Sequence, residues 1–150
     1  FVSAELRIFP DGESKITISA KPKGKIVVVN STYPPVDSNL IQTLSLVSKA
    51  RQFSNQVICV IPYMGYARQD REFLAGEIVT LSVIAKLLSA AGASKVVVVD
   101  MHSLLGLKHF KIPIKNVSEK SPRSRLILSF ASPTRIKVLT LRLTMLRRAS

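Results

Sequence analysis

Tyr63, Tyr66, Arg68, Gln69, Asp70, Arg71 and Glu72 fall within ten residues, which puts aromatic faces, two guanidinium forks and two carboxylates into one short stretch. Guanidinium forks match phosphate oxygens bidentately, and a Tyr face suits a purine base, so this stretch has the chemistry of a nucleotide site. A second polar group, Asp100-Met101-His102-Ser103, offers an oxygen and a nitrogen ligand two residues apart. Mg²⁺ keeps several waters and takes one or two protein ligands plus substrate phosphates, so a donor set this sparse is compatible with it. The same residues also describe a solvated, ion-paired loop and a structural histidine, and residue types alone leave both readings open. His109, beside Phe110 in a basic stretch, is read as structural. Neither G-x-x-x-x-G-K-[ST] nor G-x-G-x-x-G occurs, which argues against a P-loop ATPase or a Rossmann dehydrogenase.

These groups need a scaffold, and three short β-branched runs supply it: Ile26-Val27-Val28-Val29, Val57-Ile58-Cys59-Val60-Ile61 and Val96-Val97-Val98-Val99. Unbroken Val/Ile runs of this length are the signature of parallel strands buried on both faces. Between the first two, Asp37 or Ser38 can cap a helix with apolar positions Leu40, Ile41, Leu44, Val47 and Phe53, ending near Gln52. Between the second and third, Ile78, Leu81, Ile84, Leu87 and Leu88 predict a helix over 77–91, with Gly92 where a left-handed cap is wanted. The unit is β-α-β-α-β with right-handed crossovers. Open sheets of this kind bind ligands beyond the carboxyl ends of their strands, where the polar groups named above lie, together with Asn30-Ser31-Thr32 and the residues up to Asn39. Ahead of the unit, Glu5-Leu6-Arg7-Ile8-Phe9 and Lys15-Ile16-Thr17-Ile18-Ser19 alternate around Pro10-Asp11-Gly12 and read as a hairpin. Lys21-Pro22-Lys23-Gly24-Lys25 reads as a solvated basic turn.

A length of 150 residues suits one α/β domain with a real core. One cysteine, Cys59, set in an apolar run, excludes a disulfide scaffold and a Cys-based zinc site. No apolar run approaches the ~20 residues that a membrane-spanning helix needs, and Phe1-Val2-Ser3-Ala4-Glu5 has neither a starting Met nor a signal-peptide layout. The expected location is cytoplasmic, with the chain clipped at its front. The net charge of +13 is lopsided. Residues 1–117 carry 14 Lys and Arg against 8 Asp and Glu, whereas 118–150 carry 8 against 1 and contain no Gly. The expected division is therefore an α/β domain over 1–117 and a basic tail over 118–150.

Five strings occur in order: Arg7-Ile8-Phe9-Pro10-Asp11-Gly12-Glu13; Asn30-Ser31-Thr32 with Pro35-Val36-Asp37-Ser38-Asn39-Leu40; Pro62-Tyr63-Met64-Gly65-Tyr66-Ala67-Arg68-Gln69-Asp70-Arg71; Val99-Asp100-Met101-His102-Ser103; and Ile112-Pro113-Ile114-Lys115-Asn116-Val117. Together they resemble ribose-phosphate pyrophosphokinase, or PRPP synthetase, in wording close to its archaeal members and over residues 1 to about 117. The resemblance implies a phosphoribosyltransferase-like N-terminal domain, a parallel sheet flanked by helices with an N-terminal β-hairpin. It implies Mg²⁺-dependent transfer of the β,γ-diphosphoryl group of ATP to the anomeric hydroxyl of ribose 5-phosphate, giving PRPP and AMP for nucleotide biosynthesis. Carried over by position, Arg68 and Gln69 match the ATP-contacting pair, with Asp70 and Arg71 beside them, and His102 matches the metal-binding histidine. Phe9, Asp11 and Glu13 match hairpin positions that reach a neighbouring subunit and hold its adenine and ribose, which implies a homo-oligomer.

The resemblance covers only the first of the family's two halves. The loop that grips ribose 5-phosphate and the catalytic loop belong to the second half, so no catalytic residue is assigned here. The family's opening strand and helix are also expected ahead of Phe1, leaving one strand of the sheet to be filled. Residues 118–150 match no family pattern; a reading-frame shift near residue 118 is one origin, and a divergent tail that binds RNA phosphates is another. Within it Leu139, Leu141, Leu143 and Met145 alternate with Thr140, Arg142 and Thr144, which permits a short strand, while Pro122 and Pro133 break the stretch. A truncated enzyme, a non-catalytic assembly partner of complete subunits, and a nucleic-acid binder acting through the tail are the functional alternatives.

Overall fold

A computed structural model describes residues 2–118 and, by their backbone, residues 136–143. The chain order is β1 (Val2–Ile8), β2 (Ser14–Ile18), β3 (Lys25–Val29), α1 (Val36–Arg51), β4 (Val57–Ile61), α2 (Thr80–Ala90), β5 (Lys95–Val99), a 3₁₀ segment (Leu104–His109), β6 (Ile114–Val117) and β7 (Ile136–Leu143). These strands form one sheet in the order β2-β1-β7-β3-β4-β5-β6. Only β1 and β2 pair antiparallel, with Ala4 opposite Ile18 and Ile8 opposite Ser14. The other pairs are parallel, as the Val/Ile runs predict.

The sequence β3-α1-β4-α2-β5 advances one strand at a time in one direction across the sheet, so two right-handed crossovers place α1 and α2 on the same face. Period-two alternation then divides each strand. Ile26, Val28, Val57, Cys59, Ile61, Val96 and Val98 join Leu46, Val47, Leu81, Ile84 and Leu88 in the main core. Val27, Val60, Val97 and Val117 form a second cluster on the opposite face. Burying each large aliphatic side chain of the main core contributes about 1.5–3 kcal/mol, and this term holds the helices to the sheet.

The helices differ in detail from what periodicity predicts. α1 starts at Val36 with Pro35 in the capping position and no side-chain cap, so neither Asp37 nor Ser38 caps it. Ile41 is more than half exposed, and Gln42 and Thr43 are buried instead. Both pay their desolvation through hydrogen bonds: the Gln42 amide donates to the Ser14 hydroxyl at 2.9 Å, and the Thr43 hydroxyl donates to the Asn39 carbonyl at 2.7 Å. α2 begins at Thr80, three residues later than expected, because 72–77 close a loop on themselves: Glu72 accepts from the Gly76 N–H, and Glu77 accepts from the Phe73 and Leu74 N–H groups. Ile78 is accordingly exposed.

The end of α2 is as expected. Gly92 has φ +103°, its N–H bonds to the Ser89 carbonyl, and the Ala93 N–H reaches back to the Leu88 carbonyl. Besides the hairpin, two strands lie outside the β-α-β-α-β unit. β6 pairs with β5 through the string Ile114-Lys115-Asn116-Val117, and β7, from the basic segment, sits between β1 and β3. Residues 119–135 and 144–150, on which the RNA-binding and frame-shift readings mainly rest, lie outside the described residues.

Candidate functional site

The carboxyl ends of β3, β4 and β5 lie side by side, since Val29 pairs with Val60 and Ile61 with Val98. Buried hydrogen bonds fix the loops that leave them. Thr32, almost completely buried, donates its hydroxyl to the Tyr63 carbonyl at 2.7 Å and accepts the Gly65 N–H at 2.7 Å. Its own N–H also reaches the Tyr63 carbonyl, at 3.0 Å. Gly65 has to lack a side chain here, because a Cβ would stand 2.6 Å from Val36 Cγ1 and 3.2 Å from the Thr32 carbonyl oxygen. Asn30 donates to Thr43 Oγ1 at 2.8 Å, tying the β3 loop to α1. On the far side, the Asp100 N–H bonds to the Val117 carbonyl and the Met101 N–H to Asn116 Oδ1, each at 3.0 Å, so β6 holds the end of β5 in place.

Between these loops lies a cleft of about 430 Å³ lined by Tyr66, Arg68, Gln69, Asp100 and His102, with Val36 and Met64 on its apolar side. A larger hollow of about 680 Å³ runs between β2 and α1, past Ile16, Ile18, Lys49 and Phe53. We assign the chemistry to the smaller cleft, because of the two it is the one that collects a guanidinium, an imidazole and a carboxylate at the strand ends, where open parallel sheets bind their ligands. Its two turning points carry positive φ in non-glycine residues, Tyr66 at +60° and Asp100 at +41°. Such conformations cost a bulky residue roughly 1–2 kcal/mol and concentrate at ligand sites. The Tyr66 hydroxyl donates to the Asp37 carboxylate, which keeps the phenol protonated and its pKa above the ordinary value. Tyr33 and Tyr63 meet edge to face at 5.4 Å on the rim.

The structure divides the residues singled out from sequence into three places. Arg68, Gln69 and His102 meet in the cleft, with Arg68 and His102 exposed. The Gln69 side-chain oxygen accepts from the Thr80 hydroxyl, which anchors it to the start of α2.

Asp70 and Arg71 do not line the cleft. Asp70 is buried. A hydrogen bond from Ser103 holds its carboxyl below the usual range, against the opposing effect of burial, and Arg71 and His109 add weaker charge stabilisation. The His109 Nε2–H donates to the Asp70 carbonyl at 2.6 Å, the structural role read for it. Asp70 thus fastens the β4 loop to the segment after β5. The Arg71 guanidinium lies over the Phe73 ring, 4.7 Å from its centroid.

Phe9, Asp11 and Glu13 form the hairpin tip. There the Phe9 N–H bonds to the Glu13 carbonyl, the Asp11 carboxylate accepts the Glu13 N–H at 3.1 Å, and Gly12 supplies φ +92°. Strands β7 and β3 separate β1 from β4. Three strand spacings of about 4.8 Å therefore keep the tip roughly 14 Å from the β4 end of the cleft in the same chain.

Residue-type reasoning missed the Thr32 clamp, the Ser103–Asp70–His109 cluster and the Tyr66–Asp37 contact. Each joins segments distant in sequence, and the only local signal was the placement of Gly65 beside a polar strand end. Among the described residues, no three His, Cys, Asp or Glu side chains gather into a metal cage.

Fold and cleft together define an open parallel α/β domain with a ligand-binding edge formed by the strand ends. The chain belongs to the ribose phosphate pyrophosphokinase N-terminal domain family, whose model matches residues 1–92. The ribose-phosphate pyrophosphokinase of Methanothermobacter thermautotrophicus is 38% identical over 115 residues, covering 76% of this chain and 40% of the relative. That of Methanopyrus kandleri is 40% identical over 111 residues, covering 73% and 38%. In structure, the phosphoribosylpyrophosphate synthetase of Mycobacterium smegmatis superposes with a TM-score of 0.73 at 24% identity, over 86% of this chain and 43% of that one, a likeness of fold. The chain thus spans about 40% of the length of the curated relatives it matches.

Proposed function

We propose that this domain supplies the ATP-binding half of a ribose-phosphate diphosphokinase site. The observation that carries the reading is the meeting of Arg68, Gln69 and His102 in one strand-end cleft, beside two strained turning residues. Arg68 suits the phosphate chain of ATP, because its fork donates parallel hydrogen bonds to paired oxygens. His102, with Asp100 beside it, suits a hydrated Mg²⁺ whose remaining positions are water and phosphate oxygens; an exposed strand end leaves room for that shell. When bound, Mg²⁺ neutralises charge on the phosphates.

In the reaction, the anomeric oxygen of ribose 5-phosphate forms a bond to the β-phosphorus, and the bond from that phosphorus to the α,β-bridging oxygen breaks to release AMP. Such a transfer needs alignment and charge neutralisation more than covalent help, which suits a site made of a guanidinium and an imidazole on rigid strand ends. Ribose 5-phosphate would be held by the half that the relatives possess beyond the matched region. The hairpin tip, too far from its own cleft, is free to offer Phe9, Asp11 and Glu13 to the cleft of a second copy, making the working form a homo-oligomer.

The test is binding of ATP with Mg²⁺ by titration calorimetry, and formation of AMP and PRPP after ribose 5-phosphate is added. Arg68→Ala should weaken ATP binding at least about tenfold, the loss of a charge-assisted pair of roughly 1.5–3 kcal/mol, with the circular dichroism spectrum unchanged because Arg68 is exposed. Equal affinity in the two proteins would refute the assignment of the cleft.

A further inference from the structure

β7 enters the sheet from the part of the chain that matches no family pattern, yet it takes an interior position. It pairs in parallel on both sides, Val2 to Leu6 of β1 with 139–143 and Lys25 to Val29 of β3 with 136–140. The registers agree with each other and with the burial of the neighbours. Leu139 stands opposite Val2 and Val28, and Leu141 opposite Ala4, all three partners being buried. Leu143 stands opposite buried Leu6. Thr140 and Arg142 stand opposite Ser3 and Glu5, which are exposed.

The leucine alternation of the segment is therefore in phase with the alternation of β1, and position 142, an arginine, stands in register with Glu5, a residue of opposite charge. A slip of one residue would set the leucines against Ser3 and Glu5, so the phase match selects one register. Cross-strand pairs of this kind contribute roughly 0.2–1 kcal/mol each.

We infer that the space between β1 and β3 is a strand-acceptor slot whose occupant is this chain's own segment 136–143. The slot takes an extended peptide that alternates leucine with Thr or Arg, through main-chain pairing on two edges, and it selects register by the buried row Val2, Ala4, Leu6 and by Glu5. Filling it covers two strand edges that would otherwise invite pairing between chains. It also sets where the hairpin tip stands: with the slot empty, β1 could close on β3, moving Phe9, Asp11 and Glu13 one strand spacing, about 4.8 Å, toward the cleft.

The experiment is hydrogen exchange read by mass spectrometry on the full chain. Amides of 137–143 should exchange at least about 100-fold more slowly than those of exposed Lys21, Lys23 and Gly24, as paired interior strands do. Exchange as fast as at those residues would overturn the assignment, and protection lost on dilution would assign the strand to a second copy and overturn it equally. Leu141→Asp, which sets a charge at the register of buried Ala4, should raise exchange in β1 and β3 together by at least tenfold while β4 and β5 keep their protection. The milder Arg142→Glu should do the same to a smaller degree, and Glu5→Arg added to it should restore protection. Failure of the charge swap to restore it would refute the register.

Discussion

Thr32→Val tests whether the cleft is built as described. The substitution puts a methyl in place of the hydroxyl and opens no cavity, so its cost is the lost hydrogen bonds, with crowding of the methyl against the same two polar atoms adding to it. In the native chain that hydroxyl accepts the buried Gly65 N–H at 2.7 Å and donates to the Tyr63 carbonyl at 2.7 Å. After substitution the Gly65 N–H is left without a partner, which costs about 1–3 kcal/mol, and the lost bond to Tyr63 adds about 0.5–1.5 kcal/mol. Tyr63 retains the Thr32 N–H at 3.0 Å, so its carbonyl is not stranded and the second figure stays small. The sum, about 2–4 kcal/mol, is a large share of the roughly 5–15 kcal/mol that holds a domain together. For about 150 residues it corresponds to a fall in Tm of roughly 4–16 °C. Urea and thermal unfolding of wild type, Thr32→Val and Thr32→Ser provide the assay, with the serine variant expected to keep most of the stability. A valine variant within about 0.5 kcal/mol of wild type, the range of neutral surface changes, would refute the clamp.

Gly92→Ala should cost more in urea unfolding than the roughly 1–2 kcal/mol of a left-handed backbone alone, since φ is +103° and the new Cβ would meet Arg51 Cγ at 2.5 Å and Arg51 Cβ at 2.8 Å, atoms at the root of that side chain that cannot swing aside. Burial pushes the Cys59 thiol up to about 12, so a thiol reagent at pH 8 should leave it unlabelled in the native chain and label it fully in urea. The Asp70 carboxyl lies below its ordinary 3.8 in the folded chain, so its contribution to stability is complete above that value and is lost as pH falls through the lower folded one. The difference in urea midpoint between wild type and Asp70→Asn should therefore be constant from pH 7 to about pH 5 and shrink below pH 4; a difference independent of pH down to 2 would refute the ionised, Ser103-bonded carboxylate.

Much of the scaffold was legible because its causes are local. The Val/Ile runs specified β3, β4 and β5 and their parallel pairing, Gly12 and Gly92 marked a hairpin turn and a helix end, and the polar strings after the Val/Ile runs marked the cleft edge. Where local signals competed with distant partners, periodicity misread the elements. α1 buries Gln42 and Thr43 in place of Ile41, because Ser14 and Asn39 satisfy their polar atoms and the helix can then rotate them inward. The late start of α2 follows from two glutamates that capture backbone N–H groups in the loop before it.

Within the site, sequence named Arg68, Gln69 and His102, whose chemistry is visible in their side chains. Tertiary structure alone decided that Asp70 serves as an anchor between loops rather than as part of the cleft lining, and that the hairpin tip lies three strands from its own cleft. It also decided that a segment without family pattern closes the sheet between β1 and β3. The physical reason is common to these cases. A residue's type and its local period fix which conformations and bonds it can adopt, whereas the choice among them is made by partners brought close through the sheet, tens of residues away in sequence.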